Sequence, residues 1–205
     1  MPDLSDLEST PLPKSFPKQF KRIINNCSLN PNEERIKFLY KAYLFAENAH
    51  KKQKRSSGEP YFVHCVEVAV TLSKWCMDID TVIAGLLHDT IEDTDVTKEE
   101  IRKEFNKNIS ELVDGVSKLS GIKFHSRQKK QAENFMKLFL SVANDIRVII
   151  VKFADRLHNM RTLNHLPLIK QHRIAVETRD VYAPLAHRLG MGALKSELED
   201  IVLKT

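Results

Sequence analysis

Cysteine, glycine and long apolar runs are all scarce in this chain. Its 205 residues include three cysteines, Cys27, Cys65 and Cys76, an odd number with no CxxC pair. That usage argues against a disulfide scaffold or a thiolate zinc site and suggests reduced thiols in a cytoplasmic protein. No apolar run approaches the ~18 residues of a membrane span. The opening MPDLSDLEST lacks the basic-then-apolar order of a secretion signal. Six glycines and eight prolines exclude collagen-like and low-complexity architectures. Sustained apolar–polar alternation bounded by tight turns is missing as well, so strands are not expected. Aromatic residues are not interleaved with a clustered basic face, which argues against a nucleic-acid-binding domain.

What is present fits a globular chain: 42% of residues are hydrophobic and 29% charged. A chain of this length should bury about 70% of its unfolded surface without a disulfide or zinc staple. Lysine and arginine total 32 against 27 acidic residues, a net charge of +5, which mildly favours anionic partners such as phosphates.

The apolar spacing is helical throughout and predicts an all-α bundle. Residues 1–28 carry Pro2, Pro11, Pro13 and Pro17 and read as an irregular arm with one short turn near Phe20–Ile24. Asn30 with Pro31 and Glu33 predicts a helix start. Further helices are expected over Tyr61–Trp75 and Thr81–Asp93, after the Thr97/Glu100 capping box, and after a similar Asn108/Glu111 pair. Gly121–His125 reads as a loop, Ser126 as the cap of a helix to about residue 144, and Asp145 as the cap of the next. Val148–Val151 is β-branched, yet Phe153, Ala154, Leu157 and Met160 continue a helical period, so it reads as buried helix. Leu168–Leu189 is expected to be one long helix kinked at Pro184, ended by Gly190 and Gly192, with the period restarting at Leu194–Leu203.

Charge interrupts the most apolar helices at four places. Behind the run VIAGLL stand His88, Asp89, Glu92 and Asp93, which on a continuous helix share one turn. Carboxylates packed this closely repel one another unless a cation is near. His64 sits alone on an apolar helix, and Asp155, followed four residues later by Asn159, lies on another. His64, His88, Asp89 and Asp155 together offer two imidazoles and two carboxylates, a set suited to Mn²⁺, Fe²⁺ or Zn²⁺. Glu92 and Asp93 would remain beside such a metal as general base and acid for a bound water. The fourth place is basic: Lys51, Lys52, Lys54 and Arg55 precede Ser56, Ser57 and Gly58, where Arg55 is suited to clamp phosphate or stack on a base.

The ordered segments RSSGEPYFVH, HDTIEDT and KFADRLHNMRTL, with GVSKLSGIKFHSRQKKQAENFMKLFLSVANDIRV between them and VYAPLAHRLGMGALKSELED after them, resemble the hydrolase domain of the Rel/SpoT family within the HD superfamily. The resemblance covers about Ile36 to Leu203. It implies a manganese-dependent hydrolase that removes the 3′-pyrophosphate of the alarmones ppGpp and pppGpp. By that resemblance His64, His88, Asp89 and Asp155 bind one Mn²⁺, and Glu92 and Asp93 activate the water. Arg55, Ser56, Ser57, Asn159 and Thr162 contact the guanine nucleotide, with Lys152 a further phosphate contact. Where the family often reads R-K-S-G, this chain has Arg55-Ser56-Ser57-Gly58, one cation fewer in the substrate loop.

The implied organisation is an arm over 1–28, the hydrolase domain over 29–190, and over 191–205 the helical start of a connection to a synthetase domain. The resemblance further implies that the chain is an N-terminal portion of a longer bifunctional protein or a short form, without synthetase residues and subject to regulation by further domains. Two alternatives stand beside this reading: an HD phosphohydrolase of another nucleotide, and a non-catalytic domain that binds the alarmone. Membrane association is not expected.

Overall fold

A computed structural model describes residues 13, 15–26, 32–120 and 145–205. The loop expected at Gly121–His125 and the helix expected from Ser126 lie outside the described residues, as do Asn30 and Pro31. Among those described, every regular element is helical. They are α1 (Lys18–Ile24), α2 (Glu33–Ala49), α3 (Phe62–Lys74), α4 (Ile79–Leu87), α5 (Thr90–Asp93), α6 (Lys98–Glu104), α7 (Lys107–Ser120), α8 (Arg147–Arg161), α9 (Leu168–Glu177), α10 (Ala183–Arg188) and α11 (Gly192–Lys204). A 3₁₀ turn (Leu163–His165) follows α8, and a π turn (Thr178–Tyr182) joins α9 to α10.

The caps follow side-chain chemistry closely. Asn32 caps α2 by accepting from the Arg35 amide at 2.9 Å. Asp78 caps α4 through the Thr81 amide at 3.1 Å. The Thr97/Glu100 capping box forms as expected. The Asn108/Glu111 expectation is corrected: the backbone amide of Ile109 donates to Asn106 Oδ1, and Asn108 lies inside α7 with its side-chain Nδ2 donating to Asp80 Oδ2. The cap expected at Asp145 falls one residue later, on Ile146 with no side-chain cap; Asp145 stands before it, accepting from the Arg147 amide and pairing with the Arg147 guanidinium at 2.6 Å.

Helix α3 is the centre of the bundle. Phe62, Cys65, Val66, Val68, Ala69, Val70 and Leu72 are all buried, so the helix is apolar on nearly every side. Each large side chain buried this way contributes about 1.5–3 kcal/mol of hydrophobic stabilisation. Helices α4 and α8 pack on α3 and on each other, and α7 closes the far side of both. Gly85 lets α4 approach α3 closely, since a Cβ there would run into the fully buried Leu72 side chain. Val148, Ile149 and Val151 are buried in α8, as the helical period predicts. The core also reaches into the segment read as an arm: α1 packs on α3, and Phe20 and Ile23 are fully buried. Phe20 meets Tyr40 and Tyr43 edge-on at 4.9 and 5.4 Å.

The break expected at Pro184 is spread over the preceding turn. Proline has no N–H for the carbonyl four residues back, and its ring crowds that turn. The chain widens to π geometry at Thr178–Tyr182 and restarts with Pro184 in the first turn of α10. The widened turn sets the Tyr182 ring 4.1 Å from the Arg156 guanidinium, which also pairs with Glu177 at 2.9 Å. At the end of α10, Gly190 adopts φ +75°, and the amides of Gly190 and Met191 bond the carbonyls of His187 and Ala186, a Schellman stop. Gly192 begins α11 rather than ending α10. α11 returns to the core through Leu194 and Leu198.

An alanine at 190 must hold a left-handed conformation that its Cβ disfavours by about 1 kcal/mol. Gly190→Ala is therefore expected to lower the melting temperature by about 2–4 °C. Thermal unfolding followed by far-UV circular dichroism checks this; an unchanged transition would refute the assigned turn.

Candidate metal centre and nucleotide loop

Three helices that pack on one another each deliver one polar side chain to a single point. His64 projects from the first turn of α3, His88 ends α4, and Asp155 lies in the middle of α8; all three are buried. One ligand atom from each lies within 4.8 Å of the others. His64 Nε2 and His88 Nε2 face each other at 3.2 Å. Asp155 Oδ1 is 3.3 Å from the first and 3.9 Å from the second. Asp89 Oδ2 is 2.9 Å from His88 Nε2 and 3.6 Å from His64 Nε2.

The helix expected over Thr81–Asp93 breaks at this point. α4 ends at Leu87, and Asp89 has ψ of −1°, so the chain turns before α5 resumes. The break separates the four residues that a continuous helix would crowd onto one turn. His88 and Asp89 are buried, whereas Glu92 and Asp93 are exposed at the rim. The Asp93 amide still bonds the Asp89 carbonyl at 2.8 Å, which holds the two parts together.

The donor set fits a divalent cation on chemical grounds. His88 Nδ1 is 2.9 Å from the Gly85 carbonyl, which can only accept, so Nδ1 carries hydrogen. Of two Nε2 atoms 3.2 Å apart, at most one can carry a second hydrogen. Both also face carboxylate oxygens in a water-poor interior, an arrangement that calls for positive charge at its centre. The surroundings of His88 pull in the same direction. Burial alone would lower its pKa, yet the charge and hydrogen bond of Asp89, with Asp155 behind, raise it. Asp89 and Asp155 are held well below the usual carboxylate range despite burial, Asp89 chiefly by His88 and Asp155 chiefly by Lys152. Cys65 is not among the residues whose ligand atoms meet at this point, and burial, then the charge of Asp89, push its thiol pKa well up.

Asp155 is gripped on both oxygens. Lys152 Nζ donates to Oδ2 at 2.5 Å and to Ser120 Oγ at 2.8 Å; Asn159 Nδ2 donates to Oδ1 at 2.5 Å. Lys152, read from sequence as a phosphate contact, is thus buried and committed to a carboxylate one helical turn away. Burial opposes its charge, but Asp155 more than compensates and raises its pKa.

The loop that carries Arg55, Ser56 and Ser57 is a tight turn between α2 and α3. Arg55 N and Gly58 N bond the carbonyls of Glu59 and Arg55, each at 2.9 Å, and Gly58 takes φ +89°. Arg55 reaches from it to α8, where it donates to Asn159 Oδ1 at 2.7 Å and His158 Nδ1 at 3.1 Å; Thr162 Oγ1 lies at 3.4 Å. The structure therefore brings together Arg55, Asn159 and Thr162, residues separated by about a hundred positions in sequence. Ser57 Oγ donates to Glu59 at 3.2 Å, and Ser56 is exposed. A groove runs beside them, with Arg55, Ser56, Ser57 and Glu59 on one side and Thr162, His165 and Leu166 on the other.

At the rim, burial and the negative charge of Asp89 raise the pKa of Glu92. The Tyr61 hydroxyl lies 2.6 Å from Asp89 Oδ2 and 3.1 Å from Asp93 Oδ2. It has one hydrogen, so it serves one carboxylate at a time. Gln53 donates to the Asp93 carbonyl. Sequence reasoning missed Tyr61 and His158. Both stand inside the quoted segments, but nothing in local spacing signals a partner that lies on another helix.

A family profile described as HD domain matches residues 42–192. The chain is 52% identical over 169 residues to the bifunctional (p)ppGpp synthase/hydrolase SpoT of Escherichia coli (strain K12), covering 82% of this chain and 24% of that protein. It is 53% identical over 169 residues to the guanosine-3′,5′-bis(diphosphate) 3′-pyrophosphohydrolase of Vibrio cholerae, with the same coverage. The chain thus spans about a quarter of the length of the curated relatives it matches. A solved structure described as a metazoan ortholog of SpoT that hydrolyzes ppGpp and plays a role in starvation responses superposes with a TM-score of 0.65 at 26% identity, covering 82% of this chain and 94% of that one.

A cation that binds this cluster binds the folded chain alone, so Mn²⁺ at about 100 times its Kd should stabilise the fold by about 2.7 kcal/mol. The proton favoured on His88 must leave first, so the shift in melting temperature should be larger near about pH 8 than near about pH 6. Calorimetric scans with Mn²⁺ or EDTA at both pH values measure it; equal shifts would contradict proton competition.

Proposed function

The chain belongs to the HD domain family, and from that premise we propose that it is a metal-dependent hydrolase of ppGpp and pppGpp. It removes the 3′-pyrophosphate to give GDP or GTP and inorganic pyrophosphate. The observation that carries the reading is the convergence of His64, His88, Asp89 and Asp155 beside a loop whose Arg55 already touches Asn159 and Thr162. The relatives named as hydrolases of the same alarmone support the choice of substrate.

His64, His88, Asp89 and Asp155 would hold one divalent ion, and the mixed nitrogen and oxygen set with no thiolate favours Mn²⁺. Such an ion lowers the pKa of a water molecule and polarises a phosphoryl oxygen. The chain's own residues orient the nucleotide and move its protons. Arg55, Ser56, Ser57, Asn159 and Thr162 bind the nucleotide, Arg55 beside the guanine. Lys152 acts through Asp155 and Ser120, which occupy its ammonium, so its role is to hold a carboxylate charged in the interior.

In the reaction the water oxygen forms a bond to the phosphorus attached to the 3′ oxygen. The bond from that phosphorus to the 3′ oxygen breaks, and the 3′ oxygen leaves with a proton. Asp93, exposed at the rim, takes the proton from the water. Glu92, beside Asp93 at the rim, delivers one to the 3′ oxygen. The cluster of Asp89, Asp155 and Lys152 carries one net negative charge, so a dication leaves it net positive and able to receive a phosphate.

Incubation with ppGpp and Mn²⁺, with products resolved by anion exchange, should yield GDP and pyrophosphate, and EDTA should stop it. Asp93→Asn should keep the fold and metal content and lower turnover by about 100-fold or more. His64→Ala should lose metal by elemental analysis. Wild-type turnover in the first variant would sink the proton role, and full metal content in the second would refute the ligand assignment. A folded, metal-loaded wild type that leaves ppGpp intact would point instead to another nucleotide or to a binding domain.

A further inference from the structure

Ligating histidines are usually oriented by a carboxylate or carbonyl that accepts from the second ring nitrogen. His88 follows that pattern through the Gly85 carbonyl. His64 does not: its Nδ1 lies 2.8 Å from Nδ1 of another imidazole, His158, and the two rings stand 4.9 Å apart at 47°.

The hydrogen-bond roles in that contact follow from a third partner. A guanidinium only donates. Arg55 Nη1 is 3.1 Å from His158 Nδ1, so His158 Nδ1 presents a lone pair. Two lone pairs cannot make a contact of 2.8 Å, so His64 Nδ1 carries the hydrogen and donates it, the nearer of two donors that share the single His158 Nδ1 lone pair in a three-centre contact. A neutral imidazole with hydrogen on Nδ1 has its lone pair on Nε2. That is the atom which faces His88, Asp89 and Asp155. His158 itself is half-buried and lies on α8 three residues after Asp155, so the helix that supplies one ligand also orients another.

We propose that His158 is a positioning residue: it accepts the Nδ1 hydrogen of His64, fixing the ring and tautomer that turn Nε2 toward the metal centre, while Arg55 holds His158 in the accepting form. This rests on the reading of His64 as a metal ligand. Arg55 has a second task in consequence, since it links the nucleotide loop to the support of a ligand on another helix.

The test uses Mn²⁺ alone with the full chain and no nucleotide, the free ion being counted from its electron paramagnetic resonance signal. His158→Phe keeps a ring and removes the acceptor; its Mn²⁺ affinity should fall by about 10- to 100-fold. His158→Asn places an amide oxygen near the former Nδ1 and should restore affinity to within a few-fold of wild type. Two-bond ¹H–¹⁵N spectra of the metal-free wild type should show the His64 hydrogen on Nδ1. His158→Phe should lose that preference.

Hydrogen on His64 Nε2 in the wild type overturns the proposal. So does a His158→Phe variant that binds Mn²⁺ like the wild type, or a His158→Asn variant that binds as weakly as His158→Phe. A wild type that takes up no Mn²⁺ overturns the metal reading and this inference with it. Normal uptake by the wild type with an indifferent His158→Phe variant overturns this inference alone.

Discussion

Two imidazole nitrogens and two carboxylates that turn their lone pairs toward one another inside an apolar bundle are the constraint on which the rest of this structure depends. His64 Nε2 and His88 Nε2 are 3.2 Å apart with Asp89 and Asp155 beside them, and all four residues are buried. In water each group would be solvated separately. In the interior they are tolerable only if positive charge occupies their midst and the helices that carry them cannot separate. The packing of α3, α4 and α8 supplies the second condition, with Gly85 permitting the close approach of α4 to α3. The raised pKa of His88, set by its own burial against the stronger pull of Asp89, is the electrostatic trace of the first.

The supporting groups form one network rather than separate contacts. Lys152 neutralises Asp155 from one side, and Asn159 holds its other oxygen. Asn159 in turn accepts from Arg55, and Arg55 donates to His158, which receives the hydrogen of His64. Across the cluster Tyr61 stands over Asp89 and Asp93, and burial followed by the charge of Asp89 raises its phenol pKa, so it stays protonated and can donate. His88 and Asp155 are braced from within their own helices, by Gly85 and by Lys152 and Asn159, whereas His64 and Asp89 are braced from elsewhere in the chain, by His158 and Tyr61. Arg55 is thereby linked to two ligands through two intermediates, to His64 through His158 and to Asp155 through Asn159.

Much of this was legible from periodicity and spacing. The helical period identified α3, α4 and α8, including the β-branched run Val148–Val151 that propensity alone would make a strand. Charged residues embedded in apolar helices identified His64, His88, Asp89 and Asp155, because burying an ionisable group is costly enough to demand a reason. Local reasoning failed where two nearby choices were chemically equivalent, as with Asn106 over Asn108 at the start of α7. It failed also at Pro184, where the strain of one proline was absorbed by widening the preceding turn. Lys152 reads as a phosphate contact in sequence, yet its carboxylate partner lies three residues away on the same buried face.

The sequence by itself determined the all-α class, the order of the helices and which residue types are too polar for their surroundings, since those depend on neighbours within a few positions. Only the tertiary structure decided what each of those residues faces. The break at Asp89 sent His88 and Asp89 inward and left Glu92 and Asp93 at the rim. The crossing of α3 and α8 set His158 against His64 across 94 positions. Hydrogen-bond direction, tautomer and charge compensation are properties of pairs within about 3 Å, and such pairs come into being only when distant segments pack.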